Sequence, residues 1–318
     1  MKERNQTIDI AKGIAIILMV IGHCYSEENV ILRAIYAFHM PFFFIVSGML
    51  YAGKWKSHVD FRVGLTCRRM LIPYFVFDTA FCIFVAVLSR NDNPIGQIIR
   101  SFSQTILTLC GTTVTWYLPC QLMTLCIVVL VLKHGKSQLH IPVFAGLFLL
   151  ALLVTPADFL LPIWRSFIGT GFFAVGYYGK SFFERKPNGC ILVLTGGLFL
   201  LLSEMNGMVS LVGLRFANPL LYVATGLTGS FLLLQFCMKI PKSKWAESVA
   251  YLGKNSIVIL CTHMFVVECV RLLDYKLFDN ALYALGILEG IVFGGMAVAL
   301  QFPIIWICNR YLPKLFGK

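Results

Sequence analysis

Charge is what this sequence lacks first. Of its 318 residues only 13% are charged and only 15 are Asp or Glu, while 58% are hydrophobic. A soluble domain carries charge on about a quarter of its residues. The polar cover of a water-soluble fold is therefore missing. There is no Gly-rich phosphate loop, which argues against an ATP-driven mechanism. The eleven cysteines form no Cys-x-x-Cys pair. Most fall in apolar runs, where a thiol is a small, soft packing residue. Histidines and carboxylates never stand at the spacing of a zinc site, and no metal is expected. No linker, low-complexity stretch or short repeat is visible. The first apolar run lacks a small-residue cleavage site and many others follow it, so it does not read as a removable signal peptide.

What is present is apolar sequence along the whole length, with a mean hydropathy of +0.79. Runs near twenty residues mark ten candidate spans, roughly 8–25, 34–52, 71–89, 114–132, 140–155, 165–179, 189–203, 218–238, 254–273 and 281–308. The expected fold is all-α: a polytopic integral membrane bundle of about ten transmembrane helices. It is expected to form one domain over 1–318, with no attached soluble domain.

The net charge of +12 follows this topology. Twenty of the 27 Lys and Arg fall on the side of the N-terminus, among them Lys2, Arg4, Lys12, Lys54, Lys56, Arg62, Arg68 and Arg69. The other seven, from Arg33 to Lys276, fall on the opposite side. Such a bias predicts that both termini are cytoplasmic. The surroundings are membrane lipids. No basic-aromatic pattern for nucleic acid occurs.

Within the first span, Lys12 precedes His23 by eleven residues. Eleven steps of 100° end about 20° past three full turns, so both side chains share one face, about 16 Å apart in rise. Ionisable groups inside a span are expensive and usually face a cavity. The plain alternative is a snorkelling lysine and a histidine bonded to a neighbouring helix. His39, just before Pro41, and His263 are the other histidines in spans; a neutral imidazole can move a proton near neutral pH. Taken alone, both read as packing or supporting groups. Arg68 and Arg69 read as topology anchors that can also hold phosphate, because the guanidinium fork donates in pairs. Trp116, near the outer end of the fourth span, reads as an interfacial belt residue or as a stacking surface for a sugar. Asp78, Glu268, Arg271 and Glu289 are further ionisable groups in or near spans, with nothing in the sequence to choose among them.

The segment Thr7–His23 resembles the first helix of the acyltransferase-3 membrane family, and is most similar to its fucose 4-O-acetylase-like branch. The resemblance continues through Phe38-His39-Met40-Pro41-Phe42-Phe43-Phe44-Ile45-Val46-Ser47-Gly48. Arg68-Arg69-Met70-Leu71-Ile72-Pro73-Tyr74, Trp116-Tyr117-Leu118-Pro119 and Gly253-Lys254-Asn255-Ser256 extend it in order along the chain. The resemblance implies a ten-helix membrane enzyme that moves an acyl group, usually acetyl from acetyl-CoA, onto hydroxyls of sugars and other envelope molecules. It implies a basic residue, ten intervening residues and a histidine: Lys12, where Arg is commoner, and His23. The family often carries two arginines three apart in the first cytoplasmic loop. Here Arg68 and Arg69 are adjacent, with Ile72 where a partner of Arg69 would fall.

The expected function is therefore a membrane O-acetyltransferase acting on a cell-envelope glycan or glycan precursor, in a bacterial inner membrane. His23 is the expected catalytic group, by proton abstraction or through an acyl-histidine. Lys12, Arg68 and Arg69 are expected on the acetyl-CoA side, His39 and Trp116 beside the sugar or polysaccharide acceptor. A transporter of an acyl donor or sugar-lipid is the alternative, disfavoured by the lack of an inverted repeat.

Overall fold

Asn5 opens the first helix. Its side chain accepts from the backbone N–H of Thr7 and Ile8, at 3.1 and 3.4 Å, satisfying two of the donors that a helix start leaves unpaired. The helix, α1 (Gln6–Gly22), ends earlier than the apolar run: His23 is its C-cap. In the computed structural model residues 5–55, 63–88, 93–108, 114–186, 188–277 and 281–317 are described. Lys2, Arg4, Lys56 and Arg62, named among the charges above, lie outside them.

From α1 the chain turns into α2 (Val30–Trp55), then α3 (Val63–Leu88) and the short α4 (Pro94–Thr108). A 3₁₀ turn at Val114–Trp116 leads into α5 (Tyr117–His134), followed by α6 (Ser137–Leu153) and α7 (Leu161–Tyr178). After one turn, α8 (Lys180–Phe183), come α9 (Gly189–Asn206), α10 (Pro219–Met238), α11 (Lys244–Lys254), α12 (Ser256–Leu277) and α13 (Glu289–Tyr311). The β pairing among the described residues is one antiparallel bridge, Ser210 with Arg215. The protein is thus an all-α bundle. Eight described helices are long and apolar enough to cross a membrane. Helices α1 and α6 have 17 residues each, about 25 Å of rise against a hydrocarbon core of about 30 Å. The expected ten is therefore approximate.

Two elements differ from the sequence reading for local reasons, and a third, α4, fills the connection between the third and fourth candidate spans. Ile95, Ile99 and Phe102 of α4 form an exposed apolar stripe, as suits a helix lying in an interface. The ninth span is preceded by a separate helix, α11, because the chain breaks at Asn255. The tenth begins as a 3₁₀ stretch, Ala281–Leu288, broken at Gly286 with φ of 54°.

Helices α1 and α2 lie inside the bundle. Helix α1 packs on α2, α10, α11, α12 and α13. By contrast α9 turns Val193 and Leu194 outward, 76% and 73% exposed. Two details fix the central pair. Gly13 of α1 faces the Val249 carbonyl of α11, and Gly253 of α11 faces the Asp9 carbonyl. A Cβ at either position would collide with backbone, so small residues set the close crossing. In α2, Pro41 has no N–H for the Ala37 carbonyl one turn earlier. The Thr225 hydroxyl of α10, whose shorter contacts are the Leu221 and Tyr222 carbonyls of its own helix at 2.9 and 3.0 Å, also stands 3.4 Å from that carbonyl, which brings α10 against α2 beside His39.

Candidate active site

The C-terminal end of α1 is built around His23. Its backbone N–H closes the helix on the Met19 and Val20 carbonyls, both at 3.1 Å. Its own carbonyl accepts from Arg271 Nη2 of α12 at 3.0 Å, and Arg271 Nη1 is held by Glu268 at 3.0 Å. The imidazole is therefore presented from an anchored backbone. Its Nδ1 stands 3.4 Å from the Tyr36 hydroxyl of α2. The His23 ring lies 5.3 Å from the His263 ring, and Tyr36 lies 5.1 Å from His39.

The two other histidines are fixed in one tautomer by their own helices. His39 Nδ1 donates to the Ile35 carbonyl at 2.8 Å. His263 Nδ1 donates to the Ile259 and Leu260 carbonyls at 2.9 and 3.1 Å. A carbonyl oxygen only accepts, so each ring carries its proton on Nδ1 and leaves a lone pair on Nε2.

His23, Tyr36, His39 and Trp116 line one cavity of ≈ 230 Å³, together with Met19, Met40, Leu260 and the backbone stretch Ser210–Val212. The structure thus brings His23, His39 and Trp116 together. Trp116 is buried, not an outward-facing belt residue. Arg165 of α7, buried at 2% exposure, lies over its ring at 5.5 Å and donates from Nε to the Val212 carbonyl at 2.7 Å. That bond pins the loop 207–218 over the cavity. The Ser210–Arg215 bridge and the Phe216 ring stacked 4.3 Å from Tyr222 hold the loop's shape. Asp78 of α3, fully buried, accepts from the Thr115 hydroxyl at 3.0 Å and so steadies the turn that carries Trp116.

A second, narrower pocket of ≈ 30 Å³ lies next to the first, lined by Ile16, Met19, Met40, Phe43, Tyr117, Ser256, Ile257 and Leu260. Met19, Met40 and Leu260 belong to both. Lys12, Ile16, Met19 and His23 recur at helical spacing, so one face of α1 runs from the lysine, along the narrow pocket, into the histidine cavity. Lys12 is half-buried.

Arg68 and Arg69 are exposed on the first turns of α3. Arg69 Nε donates to the Gly317 carbonyl at 3.0 Å. Gly317 follows the end of α13, whose start is tied to the C-terminal end of α1: Glu289 accepts from the Ser26 hydroxyl at 2.8 Å. The two arginines therefore lie at the end of the bundle opposite His23, the end where α1 begins. Among the described residues no three His, Cys, Asp or Glu side chains gather in a metal-sized group.

Sequence reasoning missed Tyr36, Arg165 and the loop 210–212. Tyr36 stands three residues before His39 on the same helix face, and that spacing was the available signal. Arg165 gave the opposite signal: an arginine at a span's end reads as a charge in water.

A family model described as an acyltransferase domain, Acyl_transf_3, matches residues 5–308. Nodulation protein NolL of Sinorhizobium fredii (strain NBRC 101917 / NGR234) is 43% identical over 81 residues, 22% of this chain and 22% of that protein. No solved structure matches. The family match takes in α1, the histidine cavity and nearly every helix around it: this chain belongs to the Acyl_transf_3 acyltransferase family.

Proposed function

We propose that the protein transfers an acetyl group from acetyl-CoA to a hydroxyl of a cell-envelope glycan or glycan precursor, with His23 as general base. The observation that carries this reading is the single α1 face on which Lys12, Ile16, Met19 and His23 join a narrow apolar pocket to the wider cavity. The apolar lining suits a pantetheine arm, which the pocket, at ≈ 30 Å³, takes only by opening further. A cation at its far end fits the phosphates. The rise of about 16 Å from Lys12 to His23 is within reach of that arm. The residues at hand therefore suit acetyl-CoA as the donor.

The wider cavity supplies what an acceptor sugar needs: imidazoles, a phenol and an indole face. Tyr36 already sets a hydroxyl beside His23 Nδ1, where an acceptor hydroxyl is to be deprotonated. His23 takes the proton from that oxygen as it bonds to the acyl carbon. The carbon–sulfur bond breaks, and the imidazolium returns the proton to the sulfur. His39 and Trp116 line the acceptor side. Lys12 neutralises donor phosphate, and Arg68 and Arg69 add to it from the same end of the bundle. The whole of 1–318 acts as one membrane domain with both termini in the cytoplasm, in a bacterial inner membrane.

The test is purified protein in lipid vesicles with radiolabelled acetyl-CoA and envelope glycan. Label on the glycan is expected with the intact chain and absent with His23→Ala. Donor binding without transfer or hydrolysis would overturn the reading in favour of transport.

A further inference from the structure

Beside the histidine cavity, behind the His23 ring, a buried imidazole nitrogen is left without a partner among the described residues. His263 is fully buried, and its Nε2 is a lone-pair acceptor without a hydrogen-bond partner among the described residues. The ring cannot turn to relieve this without breaking two bonds from Nδ1 to the Ile259 and Leu260 carbonyls. An orphaned buried acceptor costs stability in the resting protein. A better-placed donor belongs there in some other state. The neighbouring ring at 5.3 Å is His23, tilted by 42°. Since Tyr36 meets His23 at Nδ1, the nitrogen left for His263 is Nε2.

We propose that His263 is the positioning residue for His23, its buried Nε2 accepting the His23 Nε2–H and so fixing Nδ1 as the base. The inference rests on the reading of His23 as general base. A neutral imidazole with one lone pair thereby does what a carboxylate does in a Ser-His-Asp site: it selects the tautomer and supports the imidazolium as it forms. The bond is not made in the free protein, where His263 Nε2 has no partner among the described residues; it forms as the site closes on its substrates, as catalytic hydrogen bonds commonly tighten only in the loaded enzyme. No proton passes to His263. The proton drawn from the acceptor stays on His23 Nδ1 until the departing sulfur takes it. Nδ1–H of His263 stays on its backbone carbonyls throughout.

Other groups around His23 do not take this place. Tyr36 and His39 of α2 lie on the cavity side. Arg271 of α12, paired with Glu268, holds the His23 backbone carbonyl and not the ring. Glu289 of α13 holds Ser26 through Oε2, and its Oε1 is without a partner among the described residues, so its carboxylate makes no hydrogen bond to the His23 ring. Cys24 lies in the turn after α1, and its thiol is buried.

Two amides separate the acceptor from the backbone anchor. His263→Gln puts an amide oxygen near the position of Nε2, while His263→Asn reproduces only the Nδ1 side. The readout is acetyl transfer by purified protein in vesicles, with kcat, the donor KM and the pH profile of kcat/KM. His263→Asn and His263→Phe are expected to lower kcat by 10- to 100-fold with the donor KM unchanged. The acid limb should move to lower pH, because the His23 imidazolium has lost its acceptor. His263→Gln should recover most of kcat and return the acid limb towards wild type. Monodisperse elution of each variant in detergent separates loss of folding from loss of function. Wild-type kcat and an unmoved acid limb in His263→Asn, or equal defects in Gln and Asn, overturn the inference. His23→Ala is run alongside: an inactive His23→Ala with an unaffected His263→Asn removes only the inference about His263. Retained transfer in His23→Ala removes the base itself and the inference with it.

Discussion

At the scale of single residues, the site is a contrast between one anchored imidazole and the groups that feed it. General-base groups contribute about 10²–10⁴-fold to rate. His23→Ala should lower acetyl transfer by that factor, with membrane insertion and donor binding kept. Transfer within a few-fold of wild type, measured on equal amounts of purified protein, would contradict it. Lys12 calls for a different signature. A half-buried cation facing phosphate acts on binding, so Lys12→Ala should raise the donor KM about tenfold and leave kcat nearly unchanged. Lys12→Arg, which keeps the charge, should retain most of the affinity. A fall in kcat at constant KM would place Lys12 in the chemical step instead. This pair was legible in the sequence because helical spacing is arithmetic: eleven residues return to the same face. His263 was not legible, because its value lies in an unpaired nitrogen, and pairing depends on partners from distant segments. Arg165 was misread for a related reason. Its burial requires the Val212 carbonyl and the Trp116 ring, 47 and 49 positions away.

Elements were more legible than contacts, since an apolar run of sufficient length announces a span whatever it packs against. What hydropathy did not reveal were breaks of direction. Asn255 splits α11 from α12, Gly286 breaks the 3₁₀ stretch before α13, and α4 hides in a long connection. None of these changes the number of apolar residues, only the path of the backbone. The crossing of α1 and α11 is a test at this scale. Gly13→Ala places a methyl against the Val249 carbonyl, and overpacking of this kind costs about 1–3 kcal/mol. Gly146→Ala, in α6 with nothing near its added methyl, is the control, neutral or slightly stabilising through helix propensity. Thermal unfolding in detergent should show a lower midpoint for Gly13→Ala alone. Equal midpoints would mean that the close crossing is not what holds α11 to α1. A milder effect is expected at Thr225→Val. Interhelical hydrogen bonds in membrane proteins average about 0.6 kcal/mol, so losing the hydroxyl beside the Ala37 carbonyl should shift the midpoint only slightly.

At the scale of the whole molecule, the two ends of α1 carry different groups. Lys12, Arg68 and Arg69 belong to the end where α1 begins, while His23, Tyr36, His39 and Trp116 belong to the other. The charge bias of the sequence predicts that the first of these ends faces the cytoplasm, because lysines and arginines stay on the side where the chain is made. Transfer should therefore be vectorial. Donor should be consumed only from the cytoplasmic face and acetylated glycan should form in the outer half. Membrane vesicles of both orientations test this, with acetyl-CoA, which does not cross the bilayer, added outside. Inverted vesicles should label glycan held in their lumen, and right-side-out vesicles should label none. Arg68→Gln with Arg69→Gln should reduce labelling in inverted vesicles by raising the donor KM, provided that cysteine labelling finds the topology unchanged. Labelling in right-side-out vesicles, or an unchanged KM in the double variant with intact topology, would separate the basic end from the donor. In that case the positive charges serve only to orient the chain, and the path along α1 would have to be filled from the side of His23.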